Sequence, residues 1–141
     1  MKFKKFDKSE RSKLNYWFWH WLAYNMVAIK LGHWRFRYLF HDIEKPWLRL
    51  LFNGDYQKVQ EIHRRNSRHH LEYADPIGRN WIDMAIDWEC SHLTKNAHQL
   101  TALEEAERKY RNDEMSPGEY MAFMDACKKL GLQNKSEVCD G

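Results

Sequence analysis

Leu39-Phe40-His41-Asp42-Ile43-Glu44-Lys45-Pro46 is the stretch on which the reading of this chain turns. Proline disfavours helix at the residue before it and suits the first turn of a new one. The stretch therefore reads as a junction between a helix over about 34–41 and a second from Trp47 to Phe52. Adjacent residues on a helix point about 100° apart, so His41 and Asp42 can both meet one ion only at a helix face or end. Lys45, four residues from His41 and three from Asp42, can reach the same point. Neutral imidazole and carboxylate are the ligand set for Zn, Fe, Ni or Mn, and the set that activates water at neutral pH.

Outward from this junction the apolar residues recur at helical spacing, and no segment alternates like a strand bounded by turns. Asp7-Lys8-Ser9-Glu10 reads as a capping box opening a first helix that runs to about Leu31 and stops at Gly32. That helix is apolar around most of its circumference, which predicts a central, buried element. Asp55 caps a helix over about Tyr56–His70. A long helix follows over about Asn80–Tyr110, kinked or split near Lys95-Asn96. Ser116-Pro117-Gly118-Glu119 opens the last helix, which ends at Gly131. The expectation is an all-α fold: one domain of about six helices over residues 1–132, with a polar tail over 133–141.

Eight histidines are present, six of them in the first half of the 141 residues. His20 lies among Trp17, Trp19 and Trp21, on a stripe with Tyr16, Ala23 and Val27. Alone it reads as a core histidine satisfied by a hydrogen bond; with His41-Asp42 downstream it reads as a ligand. His33 is the reserve. His63, Asn66 and His70 share a helix face, and His69 lies about 100° from it unless the helix ends there. A solvated helix end rich in Arg and His is the ordinary alternative for this cluster. Asp83 and Asp87, four residues apart, share a face of the next long helix; such pairs usually face solvent, but a helical His/Asp site needs a closing carboxylate. His92 and His98 have no such setting.

Net charge is +3, too small to point to nucleic acid. The positive charge is partly local, with Arg35, Arg37 and Lys45 near the His-Asp pair and Arg64, Arg65 and Arg68 near the later histidines. Cations beside a metal site suit an anionic substrate, and solvated helix faces are the plain alternative. Cys90, Cys127 and Cys139 are distant from one another and odd in number, which suits free thiols in a reducing compartment. The apolar stretch from Tyr16 to Ile29 is too short to span a bilayer. The reading is a cytoplasmic protein with no targeting segment and no membrane association.

These residues resemble the HD-domain superfamily of metal-dependent phosphohydrolases. The likeness lies in a His, then a hydrophobic-His-Asp-Ile-x-Lys-Pro stretch, then an Asp on a later helix. Glu44 stands where that family usually has a small residue. Some branches insert a His and a His-His pair and bind two or more metals, an order that His63 and His69-His70 follow. A closer resemblance, over roughly residues 16–90, is to a small phage and bacterial family of no assigned activity. It carries a His, Val and Leu-Gly, His-Asp-x-x-Lys, a His-His-like cluster and Met-x-x-Asp-Trp, here Met84-Ala85-Ile86-Asp87-Trp88. The resemblance favours His20 over His33 and Asp87 over Asp83.

It implies an HD-like helical fold in which His20, His41, Asp42 and Asp87 hold a divalent transition metal (Mn, Fe, Zn, Ni or Co). His63, His69 and His70 hold a second ion or contact substrate phosphate. The implied activity is hydrolysis of a nucleotide or other small phosphate ester by a metal-bound hydroxide, with Asp42, Lys45 and Arg68 as catalytic residues. Two other readings share the ligand set. One is a di-iron oxygenase of HD-like build; the other is a non-catalytic, metal-stapled binding module of phage type, with its aromatics exposed. Oligomeric state is not legible in the sequence.

Overall fold

The computed structural model describes residues 2–11, 13–96 and 100–132. The chain is all-α, with α1 (Leu14–Lys30), α2 (Glu44–Leu51), α3 (Tyr56–Asn66), α4 (Trp81–Thr94), α5 (Ala102–Arg111) and α6 (Pro117–Lys129). Short 3-10 turns cover Lys8–Glu10, Phe36–Phe40 and Pro76–Gly78. Among the described residues there is no strand; one isolated parallel bridge joins Phe6 to Lys95. His98, Cys139 and the tail expected over 133–141 lie outside the described residues.

Helix α4 occupies the centre, packed against α1, α5 and α6. Ala23, Tyr24, Val27 and Ala28 of α1 meet Met84, Ala85, Ile86 and Cys90 of α4. Leu103 and Ala106 of α5 and Phe123 and Cys127 of α6 complete the same core. Small alanines at the α1–α4 contact let the two helices approach closely, which brings His20 and Asp87 within bonding distance. Helix α1 is thus not the all-round buried element that its composition predicts. Its outer face leaves Leu14, Phe18, Met26 and Ile29 exposed.

The part of α1 that reads as surplus hydrophobicity has a polar task. Trp17, Trp21 and Asn25 form one row at spacings of four. Trp17 Nε1 donates to the Asp42 carbonyl at 2.9 Å, Trp21 Nε1 to the Leu39 carbonyl at 2.9 Å, and Asn25 Nδ2 to the Tyr38 carbonyl at 3.0 Å. The row clamps the whole 38–42 segment along α1.

Boundaries shift where chemistry outweighs periodicity. The segment expected to be helical from Trp34 to His41 is only a 3-10 turn, because its carbonyls are turned sideways to the α1 donors. Pro46 lies inside the first turn of α2 rather than before it; first-turn N–H groups lack a helical partner, so proline there sacrifices no bond. Helix α3 ends at Asn66, not His70, and Asp55 caps its start by accepting from Lys58 N. The chain after α3 is stitched instead by Ala74 N to Arg65 O and Asn80 N to Arg68 O. The long helix expected over 80–110 is two helices, parting after Thr94. Ser116 and Glu119 form the capping box expected at the start of α6.

Candidate metal centre

Asp42 stands at the middle of the site, in a left-handed backbone conformation with φ 55°. A non-glycine residue adopts it at a cost. Here it turns the chain between the 3-10 turn and α2, so that neighbours His41 and Asp42 both point inward. The Trp17 indole on the Asp42 carbonyl and the bond from Lys45 N to that same carbonyl, at 3.0 Å, hold the turn.

The two Asp42 oxygens face two groups of side chains. Oδ2 lies 3.5 Å from both His20 Nε2 and His41 Nε2, and 2.9 Å from Lys45 Nζ. Asp87 Oδ1 is 3.0 Å from His20 Nε2 and 3.3 Å from His41 Nε2. On the other side, Asp42 Oδ1 is 3.1 Å from His63 Nε2 and 3.2 Å from His69 Nε2. His70 Nε2 lies 3.0 Å from His63 Nε2. His20, His41, Asp42 and Asp87 each offer a ligand atom within 4.8 Å of the others, and so do His63, His69 and His70. His20, His41, Asp42, His63 and Asp87 are buried.

This geometry fits a bound cation. Donors 2.0–2.2 Å from one ion, separated by 90–109°, stand about 2.8–3.6 Å apart, and the distances here, from 3.0 to 3.5 Å, fall within that range. Three of these buried atoms, Asp42 Oδ1, Asp87 Oδ1 and His69 Nε2, have no hydrogen-bond partner despite neighbours at these distances. Buried carboxylates left so would be costly without a cation.

Neighbouring groups orient the ligands. Glu44 Oε1 bonds His63 Nδ1, and Ser67 Oγ lies 3.1 Å from the same nitrogen, which turns His63 Nε2 inward. The His41 ring stacks on Tyr24 at 3.7 Å between centroids. His20 Nδ1 sits 3.9 Å from the Cys90 thiol. Ser91 Oγ donates to the Asp87 carbonyl at 2.8 Å.

The electrostatics favour the metal-binding forms of Asp42, Asp87, His41 and His70, and the protonated form of His63. Burial pushes the Asp42 carboxyl up, but His41, Lys45 and His63 outweigh it and hold the group well below its ordinary value. Burial pushes Asp87 up too, but His20 and His41 close beside it outweigh burial and hold it well below its ordinary value. Burial lowers His41 and, with His69 beside it, lowers His70 strongly. His63 moves the other way: burial opposes its charge, but Asp42 and Glu44 raise it.

Several expected residues are resolved by this arrangement. His33 lies apart, tilted against Tyr38 at 6.5 Å, and His20 takes the place for which both were candidates. Asp83 and Asp87 are both buried but divide. Asp83 accepts from Arg37 at 2.5 Å and from Tyr38 Oη at 2.7 Å, while Asp87 joins the cluster. His69 and His70 sit on a turn rather than a helix, which frees both to reach inward; Asn66 instead caps its own helix at the Ile62 carbonyl. Arg68 is exposed and lines an open cleft of about 230 Å³ with His41, Asp42 and His69. A second cleft, about 320 Å³, reaches His70 and Asp87 and includes Lys95. Glu44 was missed as a site residue; its place beside the His-Asp pair was visible, but its partner His63 comes from a distant helix. Lys95 had no signal at all.

Compared with protein-family models, curated proteins and solved structures, the chain matches none.

Proposed function

We propose that this chain is a metal-dependent phosphohydrolase of HD type acting on a phosphate ester. The observation that carries the reading is Asp42, which presents one oxygen to His20 and His41 and the other to His63 and His69. A carboxylate so shared suits two adjoining divalent ions. Bound there, such ions would polarise water and neutralise phosphoryl oxygens. His20, His41, Asp42 and Asp87 hold one position; His63, His69 and His70, with Asp42, hold the other.

The chain's own residues supply the remaining needs. Lys45 stays charged, because Asp42 beside it outweighs the cost of its burial, and its ammonium can meet charge developing on a phosphoryl group. Arg68, at the mouth of the cleft over His41 and Asp42, can hold an anionic substrate. Incubation with Mn, Fe, Co, Ni and Zn, followed by phosphate release from nucleotides and a generic aryl phosphate, tests the reading. Release that depends on metal and on Asp42 supports it; no release from a metal-loaded protein contradicts it.

A second reading, activation of dioxygen by two irons, draws on the excess of imidazoles over carboxylates, five histidines against Asp42, Glu44 and Asp87. Iron with a visible optical band, and no phosphate release, would carry that reading instead.

A further inference from the structure

We propose that the molecule binds an amphiphilic anion: a phosphate-type head in a cationic slot beside the His/Asp cluster, and an unbranched apolar tail along the trough that continues from it. The identity of this ligand as substrate rests on the phosphohydrolase reading; its binding does not.

The slot is narrow, about 30 Å³; His20 and Lys45 are part of its wall, and much of the rest is apolar, from Leu14, Trp17, Pro46 and Val59. Arg11, Lys13 and Arg49 form the rest of its charged lining, with the Tyr56 ring beside them. Among the described residues no carboxylate lines it, and none pairs with Arg11, Lys13 or Arg49. Arg11 Nε is buried without a hydrogen-bond partner. Some other arginines are matched, Arg37 with Asp83, Arg79 with Glu119 and Arg108 with Glu105, while Arg64 and Arg68, at the two wider clefts, have no ion pair among the described residues either. The two wider clefts carry carboxylates of their own, Glu44 and Asp83 in one, Glu72 and Glu105 in the other. Lys45 is already answered by Asp42, but Arg11, Lys13 and Arg49 are not, and an anion among them relieves their mutual repulsion. A space of this size admits about two water-sized groups. It therefore accepts the oxygens of a tetrahedral anion end-on and excludes a planar ring system. An anion there meets Lys45, whose Nζ is 2.9 Å from Asp42 Oδ2.

The slot does not end in open solvent on its outer side. Leu14, Pro46, Arg49 and Gly54 belong both to it and to an adjoining trough of about 430 Å³, which continues over Leu50 and Asn53. Helix α2 has no buried residue, and Trp47, Leu50 and Leu51 stand 70%, 73% and 71% exposed. That much apolar surface on a helix of two turns marks a binding face. Only Leu50 of the three lines the trough; through it, with Arg49 at the join to the cation-lined slot, the trough selects a ligand that is charged at one end and apolar along the rest.

The test is calorimetric titration of the full chain, as purified, with inorganic phosphate and then butyl, hexyl and octyl phosphate below their micelle concentrations. Full burial of a methylene tightens binding about fourfold, so half-burial in the open trough gives about twofold for each methylene added. Arg49→Glu is expected to weaken every member of the series about tenfold or more, inorganic phosphate included. Leu50→Asp is expected to flatten the dependence on chain length. Both residues lie on the surface side of α2, and an unchanged melting temperature certifies each variant. A flat series with the unaltered chain overturns the proposal, and leaves the trough to a protein partner. Phosphate binding indifferent to both Arg49→Glu and Arg11→Glu overturns it as well. Hydrolysis of a water-soluble aryl phosphate is measured in parallel. Turnover with a flat series sinks this proposal alone, and graded binding without turnover of any ester sinks the phosphohydrolase reading alone.

Discussion

At the scale of single residues, adjacent ligands are made compatible by one unusual backbone angle. Asp42 takes a left-handed conformation, and this lets a His-Asp dipeptide do what a regular helix forbids. Glu44 is the residue whose role the sequence concealed. It departs from the small residue of the resembled family, and it grips His63 Nδ1 from the start of α2. Glu44→Ala is expected to lower metal affinity by about 10–100-fold without altering the ligand set, as loss of a ligand's orienting carboxylate does. Competitive titration with a metallochromic chelator measures it, and affinity equal to the unaltered chain would remove Glu44 from the site. Lys45→Met is expected to keep the metal and lose about 100-fold or more in kcat for phosphate release, the scale on which a charge-stabilising donor acts. Equal losses of metal and activity would mean that Lys45 serves only to hold Asp42.

At the scale of elements, the row of Trp17, Trp21 and Asn25 explains why an aromatic-rich α1 is only half buried. Its side chains add donors along the 38–42 carbonyls, of which Tyr38 O and Asp42 O also accept backbone N–H groups. Trp17→Phe keeps most of the apolar area but removes the donor to Asp42 O, and is expected to cost about 1 kcal/mol in denaturant unfolding. An unchanged midpoint would show that the clamp contributes nothing. At the start of α6, burial raises the Glu119 carboxyl, but bonds to Ser116 and the Arg79 guanidinium hold it below its ordinary value of 4.5. A depressed carboxyl stabilises the fold fully above its unfolded value, and that stabilisation is lost as pH falls through the folded value. Glu119→Gln is therefore expected to cost about 1 kcal/mol at pH 7, a cost that is lost as pH falls through the folded value. A cost that is independent of pH would contradict the assignment.

The elements were the most legible part of this sequence. The capping signals at Asp55 and Ser116, the stop at Gly32 and the break near Lys95 are local chemistry, and local chemistry is written in neighbouring residues. His41, Asp42 and Lys45 were legible for the same reason. Spacing alone did not split Asp83 from Asp87, since it puts both on one face; the family resemblance favoured Asp87, and Arg37 occupies Asp83. The end of α3 was hidden too: His63 and His70 have helical spacing, yet His70 reaches the cluster from a turn stitched by distant backbone bonds.

At the scale of the whole molecule, the site is an intersection of elements and not a property of any one. His20 comes from α1, Asp87 from α4, His63 from α3, and the rest from the turns between them. A cation bound there ties these pieces together, and anything that binds the folded state alone stabilises it by mass action. Metal in about hundredfold excess over its dissociation constant is expected to add about 2.7 kcal/mol, and stripping it to lower the melting temperature by several degrees.

The central claim is that Asp42 and its neighbours hold transition metal. Elemental analysis of the folded chain, purified without chelator and incubated with Mn, Fe, Co, Ni and Zn before desalting, tests it most directly, beside the variant Asp42→Asn. The expected result is one or two ions per chain in the first and essentially none in the second, with both samples folded. A folded, unaltered chain that retains no metal, or an Asp42→Asn variant that keeps its full complement, would contradict the account.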